Sequence, residues 1–116
     1  MSRALTDLQI FKAEFFRALA HPVRIRILEE LRGGPRTVHA LQEALGLDQP
    51  SVSQQLAVLR VKNLVVATKA GTSVSYAVRD PLIHDLLMVA RTIFNNRLVD
   101  TQAMLKALTK ERERAS

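Results

Sequence analysis

Apolar residues recur along this chain at two periods, and the switch between them divides it into elements. From residue 5 to about 20, Leu8, Phe11, Phe15 and Leu19 are spaced three, four and four apart, the repeat of one face of a helix. His21-Pro22 closes that helix and opens the next, because proline fits a first turn and biases the residue before it away from helix. Val23, Ile27 and Leu31, widened by Ile25 and Leu28, form the next inward stripe, which Gly33-Gly34-Pro35 stops. Thr37 is placed to cap a third helix from Val38 to Leu45, with Val38, Leu41 and Leu45 turned inward. Gly46 frees the backbone for a turn, Asp48 caps a fourth helix, and Pro50 fits its first turn. Val52, Leu56 and Leu59 share that helix's buried face, and Asn63 suits the left-handed position that ends it.

Two short helices joined by a glycine-containing turn of about three or four residues make a helix-turn-helix, here over residues 38–62. The period then drops to two. Over 64–79, β-branched residues flank Ala70-Gly71-Thr72-Ser73, and Val74, Tyr76 and Val78 alternate with Ser75 and Ala77. That is a two-stranded hairpin, and a hairpin directly after a helix-turn-helix is a wing. Asp80-Pro81 opens a last helix over 81–108, with a break near Asn95-Asn96 or Asp100 left open and a frayed, charged tail at 109–116. Two apolar rows run along it: Leu82, Leu86, Val89 and Ile93, and Ile83, Leu87, Ala90 and Phe94. The fold class is mainly α with a small two-stranded β-wing, and 1–116 is expected to be one winged helix-turn-helix domain.

Apolar surface exceeds what a chain of 116 residues covers by itself. Three of the four phenylalanines sit in the first helix, which either caps its own core or meets another subunit. The two rows of the last helix are too wide for one small domain, so Leu8, Phe11, Phe15, Leu86, Val89, Ile93 and Phe94 are the expected dimer contacts. The formal net charge of +6 favours an anionic partner. Its distribution is more telling: from Gln49 to Arg79 there is no Asp or Glu, while Arg60, Lys62, Lys69 and Arg79 carry +4 of that total.

The outward side of the fourth helix supplies the chemistry. Ser51, Ser53 and Gln54 are short or amide-bearing side chains able to hydrogen-bond base edges, and Arg60 on the same side can reach a phosphate. Arg24, Gln55, Arg60, Lys62, Lys69, Thr72, Ser73 and Arg79 are the expected backbone and wing contacts, with the wing tip suited to a minor groove or to phosphate. Arg26 beside Arg24 has the same reach. Double-stranded DNA is therefore the expected partner. With no cysteines, three scattered histidines and no glycine-rich phosphate loop or nucleophile motif, catalysis is not expected, nor is any cofactor. Asp7, Lys12 and Glu14 interrupt the N-terminus, no apolar run approaches the roughly 18 residues of a membrane span, and a cytoplasmic protein is expected.

FFRALAHPVRIRILEELRGG, LGLDQPSVSQQLAVLRVKNLV and GTSVSYAV, in that order, resemble the ArsR/SmtB family of bacterial winged-helix repressors over roughly residues 11–95. The resemblance implies a homodimer held by the first and last helices, bound to an inverted-repeat operator with each recognition helix in a major groove. It implies base contacts at Gln49, Ser51, Ser53 and Gln54. Pro50 stands where many members carry a polar residue, and Gln54 where many carry histidine, so an adenine is expected to matter in each half-site. That family is best known for metal sensing, and here the chain departs from it. TVHALQEALG replaces the cysteine motif before the turn, and the last helix offers Asp80, His84 and Asp85 with Thr92, Asn95 and Asn96 at the distal positions. Zinc takes three or four close ligands, so no metal site of the familiar kinds is expected: His84 is expected to be an ordinary helical residue, His39 a solvated one, and His21 structural. The effector is left unidentified. A winged-helix dimer acting through a protein partner and a non-specific architectural DNA binder are the alternatives.

Overall fold

Each helix after the first begins where a side chain takes over an orphan backbone N–H. The structure is a computed structural model that describes the backbone of residues 3–115 and the side chains from Thr6 to Ala115. Helix α1 spans Arg3–Leu19, and α2 spans Pro22–Glu30. His21 Nδ1 accepts the Val23 N–H at 3.1 Å and so caps α2. A short 3-10 turn, Leu31–Gly33, ends at Gly34 (φ 124°), a backbone conformation that favours glycine. Strand β1 (Arg36–Thr37) leads into α3 (Val38–Leu45), where Thr37 Oγ1 accepts the Ala40 N–H at 3.2 Å. Helix α4 (Gln49–Val61) starts on Asp48, whose Oδ1 accepts the Ser51 N–H at 2.8 Å. Helix α5 runs Leu82–Ala115, with Asp80 Oδ1 accepting the Leu82 N–H at 3.0 Å. Losing such a cap typically costs a helix about 1 kcal/mol.

The hairpin of β2 (Val65–Ala70) and β3 (Ser73–Val78) turns through Gly71-Thr72, with Gly71 at φ 62° and Ala70 opposite Ser73. The expected two-stranded wing gains a third strand. Antiparallel β1 pairs Arg36 with Tyr76 and Thr37 with Ser75, giving the order β1-β3-β2. The turn after α2 and the Thr37 cap are thereby fastened to the inner strand of the wing.

Among the described residues the core is wholly apolar. Ile27, Leu28 and Leu31 meet Leu41 of α3, Val52, Leu56 and Leu59 of α4, and Leu64 and Val65 at the start of the hairpin. At roughly 1.5–3 kcal/mol for each such side chain buried, this cluster outweighs the caps and holds the helix-turn-helix as one body. Ile25 does not join it. Expected to widen the inward stripe, it lies outside at 36% exposure, because it follows Val23 by two residues and so points well away from the Ile27 face. Among the described side chains of α1 only Ala18 and Leu19 are buried, while Leu8 and Phe11 are exposed and Phe15 is half-buried.

Contacts group the chain into two units, one ending at His84 and one beginning at Asp85. The second is the remainder of α5. This helix has no break at Asn95-Asn96 or Asp100 and continues past 108. The tail expected to fray is helical through Ala115, and Ser116 lies outside the described residues. Leu86 is half-buried, whereas Val89, Ile93, Phe94, Leu98 and Leu105 are exposed.

Candidate nucleic-acid interface

The reading helix is set by its two ends. At the start, the Ser51 hydroxyl and backbone N–H hold the Asp48 carboxyl below the usual carboxylate range, against a small opposing effect of desolvation. A charged Asp48 at this end also meets the positive pole of the helix. At the finish, Asn63 adopts φ 62°. Its N–H donates to Arg60 O at 3.0 Å, and the Leu64 N–H donates to Leu59 O at 2.9 Å, the paired bonds of a Schellman stop. Between them Val52, Leu56 and Leu59 are buried, which leaves the opposite side to solvent.

On that side Gln54 is exposed, and Ser51 and Ser53 are half-buried. Gln49 Nε2 donates to Ser53 Oγ at 2.9 Å, so two of the expected base-reading residues orient one another across one helical turn. Arg60, Lys62, Lys69, Thr72, Ser73 and Arg79 are all exposed. Beside α4, Ser53, Ala57, Arg60, Val61 and Tyr76 line an open depression of about 450 Å³ between the helix and β3. Tyr76 was visible in the sequence only as a member of the strand alternation. What brings it beside α4 is the register of β3, which periodicity alone does not supply.

Arg24 and Gln55, both expected at the DNA backbone, bond to one another within the fold. Arg24 Nε donates to Ala18 O at 2.8 Å, Nη2 to Arg17 O at 3.4 Å, and Nη1 to Gln55 Oε1 at 3.1 Å. Arg26 is likewise engaged within the fold, with Nη2 donating to Ala44 O at 3.3 Å and Nη1 paired with Glu30 Oε1 at 3.0 Å.

A family profile described as "Bacterial regulatory protein, arsR family" matches residues 21–66. An uncharacterized HTH-type transcriptional regulator of Mycobacterium tuberculosis, Rv0081, is 45% identical over 98 residues, covering 84% of this chain and 86% of the relative. The chain belongs to the ArsR family. The crystal structure of Rv0081 superposes with a TM-score of 0.74 over 80% of this chain and 94% of that one. The solution structure of the homodimeric winged helix-turn-helix DNA-binding domain of Mb0332 from Mycobacterium bovis is 28% identical with a TM-score of 0.74, covering 84% and 91%. A probable mercury resistance operon repressor of Streptomyces lividans is 41% identical over 81 residues, 70% of this chain and 65% of that protein. This ArsR-family chain is a DNA-binding transcriptional regulator with a winged helix-turn-helix fold, not an enzyme.

The chain has no cysteine, and among the described residues no three His, Asp or Glu side chains of one chain stand together. His39 Nε2 lies 3.1 Å from Glu43 Oε1, both side chains largely solvated, and His21 Nδ1 is taken by its cap. No helix among the described residues is long and apolar enough to cross a membrane.

Proposed function

We propose that this regulator is a homodimeric repressor that binds an inverted-repeat operator and leaves it in response to a signal other than a metal ion. The observation that carries the reading is the outward side of α4, where Gln49, Ser51, Ser53 and Gln54 offer hydroxyls and amides beside an acid-free stretch of exposed cations. Neutral donors and acceptors of this kind discriminate base pairs in the major groove, and the cations hold the register by phosphate contact. Arg60, Lys62, Lys69 and Arg79 take that second role, with Thr72 and Ser73 at the wing tip.

The dimer is supported by apolar surface that water does not favour. Phe11 on α1 is 73% exposed, and Ile93 and Phe94 on α5 are 53% and 60% exposed. The homodimeric Mb0332 domain supports the same assembly, and the Streptomyces relative named a repressor supports the direction of control. Two reading helices related by a twofold axis match half-sites about 34–36 Å apart. An effector that prefers a different arrangement of subunits releases the operator in proportion to its differential affinity.

Selection of bound duplexes from a random pool tests this reading. Two half-sites in inverted orientation, one helical turn apart, are expected, with at least one conserved A·T pair per half-site lost on Gln54→Ala. A pool that stays unenriched favours architectural binding or a protein partner.

A further inference from the structure

We propose that Arg24 is a positioning residue, holding the recognition helix against the end of α1 through Gln55 and thereby setting operator preference. It rests on the regulatory reading above.

The guanidinium works in three directions. Nε and Nη2 donate to the carbonyls of Ala18 and Arg17, part of the last turn of α1 at its negative pole, where Arg17 O also accepts the Ala20 N–H at 3.1 Å. Nη1 donates to Gln55 Oε1 at 3.1 Å, across 31 positions of sequence. Gln55 follows Gln54 directly and lies two residues beyond Ser53, so whatever turns Gln55 turns the reading side of α4. A flat fork with five donors satisfies carbonyls and an amide at once, and a lysine ammonium does not reproduce that geometry. The neighbouring chain is equally fixed: Ala18 and Leu19 are buried, and His21 begins α2 three residues before Arg24 by capping it. Three helices thus meet at one side chain. Because α1 carries Phe11 and its exposed apolar side, a displacement of α1 reaches α4 through this guanidinium, a direct mechanical route from subunit arrangement to reading head.

A phosphate contact and a positioning bridge make opposite predictions. Arg24→Lys, Arg24→Ala, Gln55→Ala and the double variant Arg24→Ala/Gln55→Ala are compared with the wild type on the selected operator and a scrambled duplex across a salt series. Positioning predicts that Arg24→Lys, with its charge intact, loses about tenfold of operator preference while the salt slope stays at the wild-type value. The double variant then binds no worse than the weaker single variant. Gln55→Ala leaves the α1 contacts in place and reports even if Arg24→Ala does not fold. Wild-type affinity in Arg24→Lys, together with a salt slope lowered by about one in Arg24→Ala, overturns the proposal, as do additive single effects. If the wild type itself shows no operator preference, the regulatory reading fails, and amide exchange then judges the bridge alone. Faster exchange in both the last turn of α1 and the middle of α4 on Arg24→Lys supports it, and unchanged exchange in either overturns it.

Discussion

Replacing Asn63 tests how the reading helix is joined to the wing. The residue sits at φ 62°, two positions after the end of α4 and two before the start of β2. A left-handed backbone costs an ordinary L-residue about 1–2 kcal/mol, and asparagine escapes much of this through local hydrogen bonding. Asn63→Val restores that cost at a position where β-branching is least tolerated. It also strains the two bonds that depend on the turn, Asn63 N–H to Arg60 O and Leu64 N–H to Leu59 O, under the buried pair Leu59 and Leu64. Asn63→Gly removes the steric cost but enlarges the unfolded ensemble, two effects of about 0.5–1 kcal/mol that oppose each other. The expected order is therefore wild type and Asn63→Gly close together, with Asn63→Val about 1.5 kcal/mol less stable. Urea unfolding at one fixed protomer concentration reads this directly. With a slope of roughly 1–3 kcal/mol per molar urea, the Asn63→Val midpoint falls by about 0.5–1.5 M. Equal midpoints for Asn63→Val and wild type, or a loss in Asn63→Gly as large as in Asn63→Val, would refute the reasoning.

Asp48 predicts a pH dependence of fixed sign. Its folded-state carboxyl lies below the usual range, which is about 3.9 for an unperturbed Asp. The cap's contribution is thus complete above that value and is lost as pH falls through the lower folded value. Asp48→Asn keeps an N-cap acceptor and should flatten the stability profile in that acid window; an identical profile in wild type and variant counts against the assignment. Lys69→Ala should weaken operator and random duplex alike and lower the salt slope by about one, whereas a loss confined to one sequence would make Lys69 a base contact. Phe11→Ser and Ile93→Ser should each raise the monomer fraction in sedimentation equilibrium, and a dimer unmoved by both would remove α1 and α5 from the interface.

The helices and their stops were legible because each rests on local chemistry. Thr37, Asp48, Gly46 and Asn63 do in the structure what their residue types favour. The hairpin turn was legible for the same reason. Strand β1 was not, since two residues show no period and Arg36 and Thr37 pair with partners some 40 positions away. Nor was the continuity of α5. Asn95-Asn96 and Asp100 are weak helix formers by propensity, yet one helix runs through them to Ala115. Around the site, pattern located the outward face of α4 but gave no sign of the bonds Arg24 makes inside the fold, because its partners lie in α1 and, 31 positions away, in α4. Only the fold shows it turned toward the end of α1 and Gln55.

Base readout by α4 is the central claim, and fluorescence anisotropy tests it most directly. The protein is titrated onto the duplex upstream of its own gene and onto a scrambled duplex of equal length, across a salt series and with and without chelator. The account predicts a preference for the native duplex of about a thousandfold or more at physiological salt, unchanged by chelator. Equal and steeply salt-dependent affinity for both duplexes, or a preference that disappears with chelator, would contradict it.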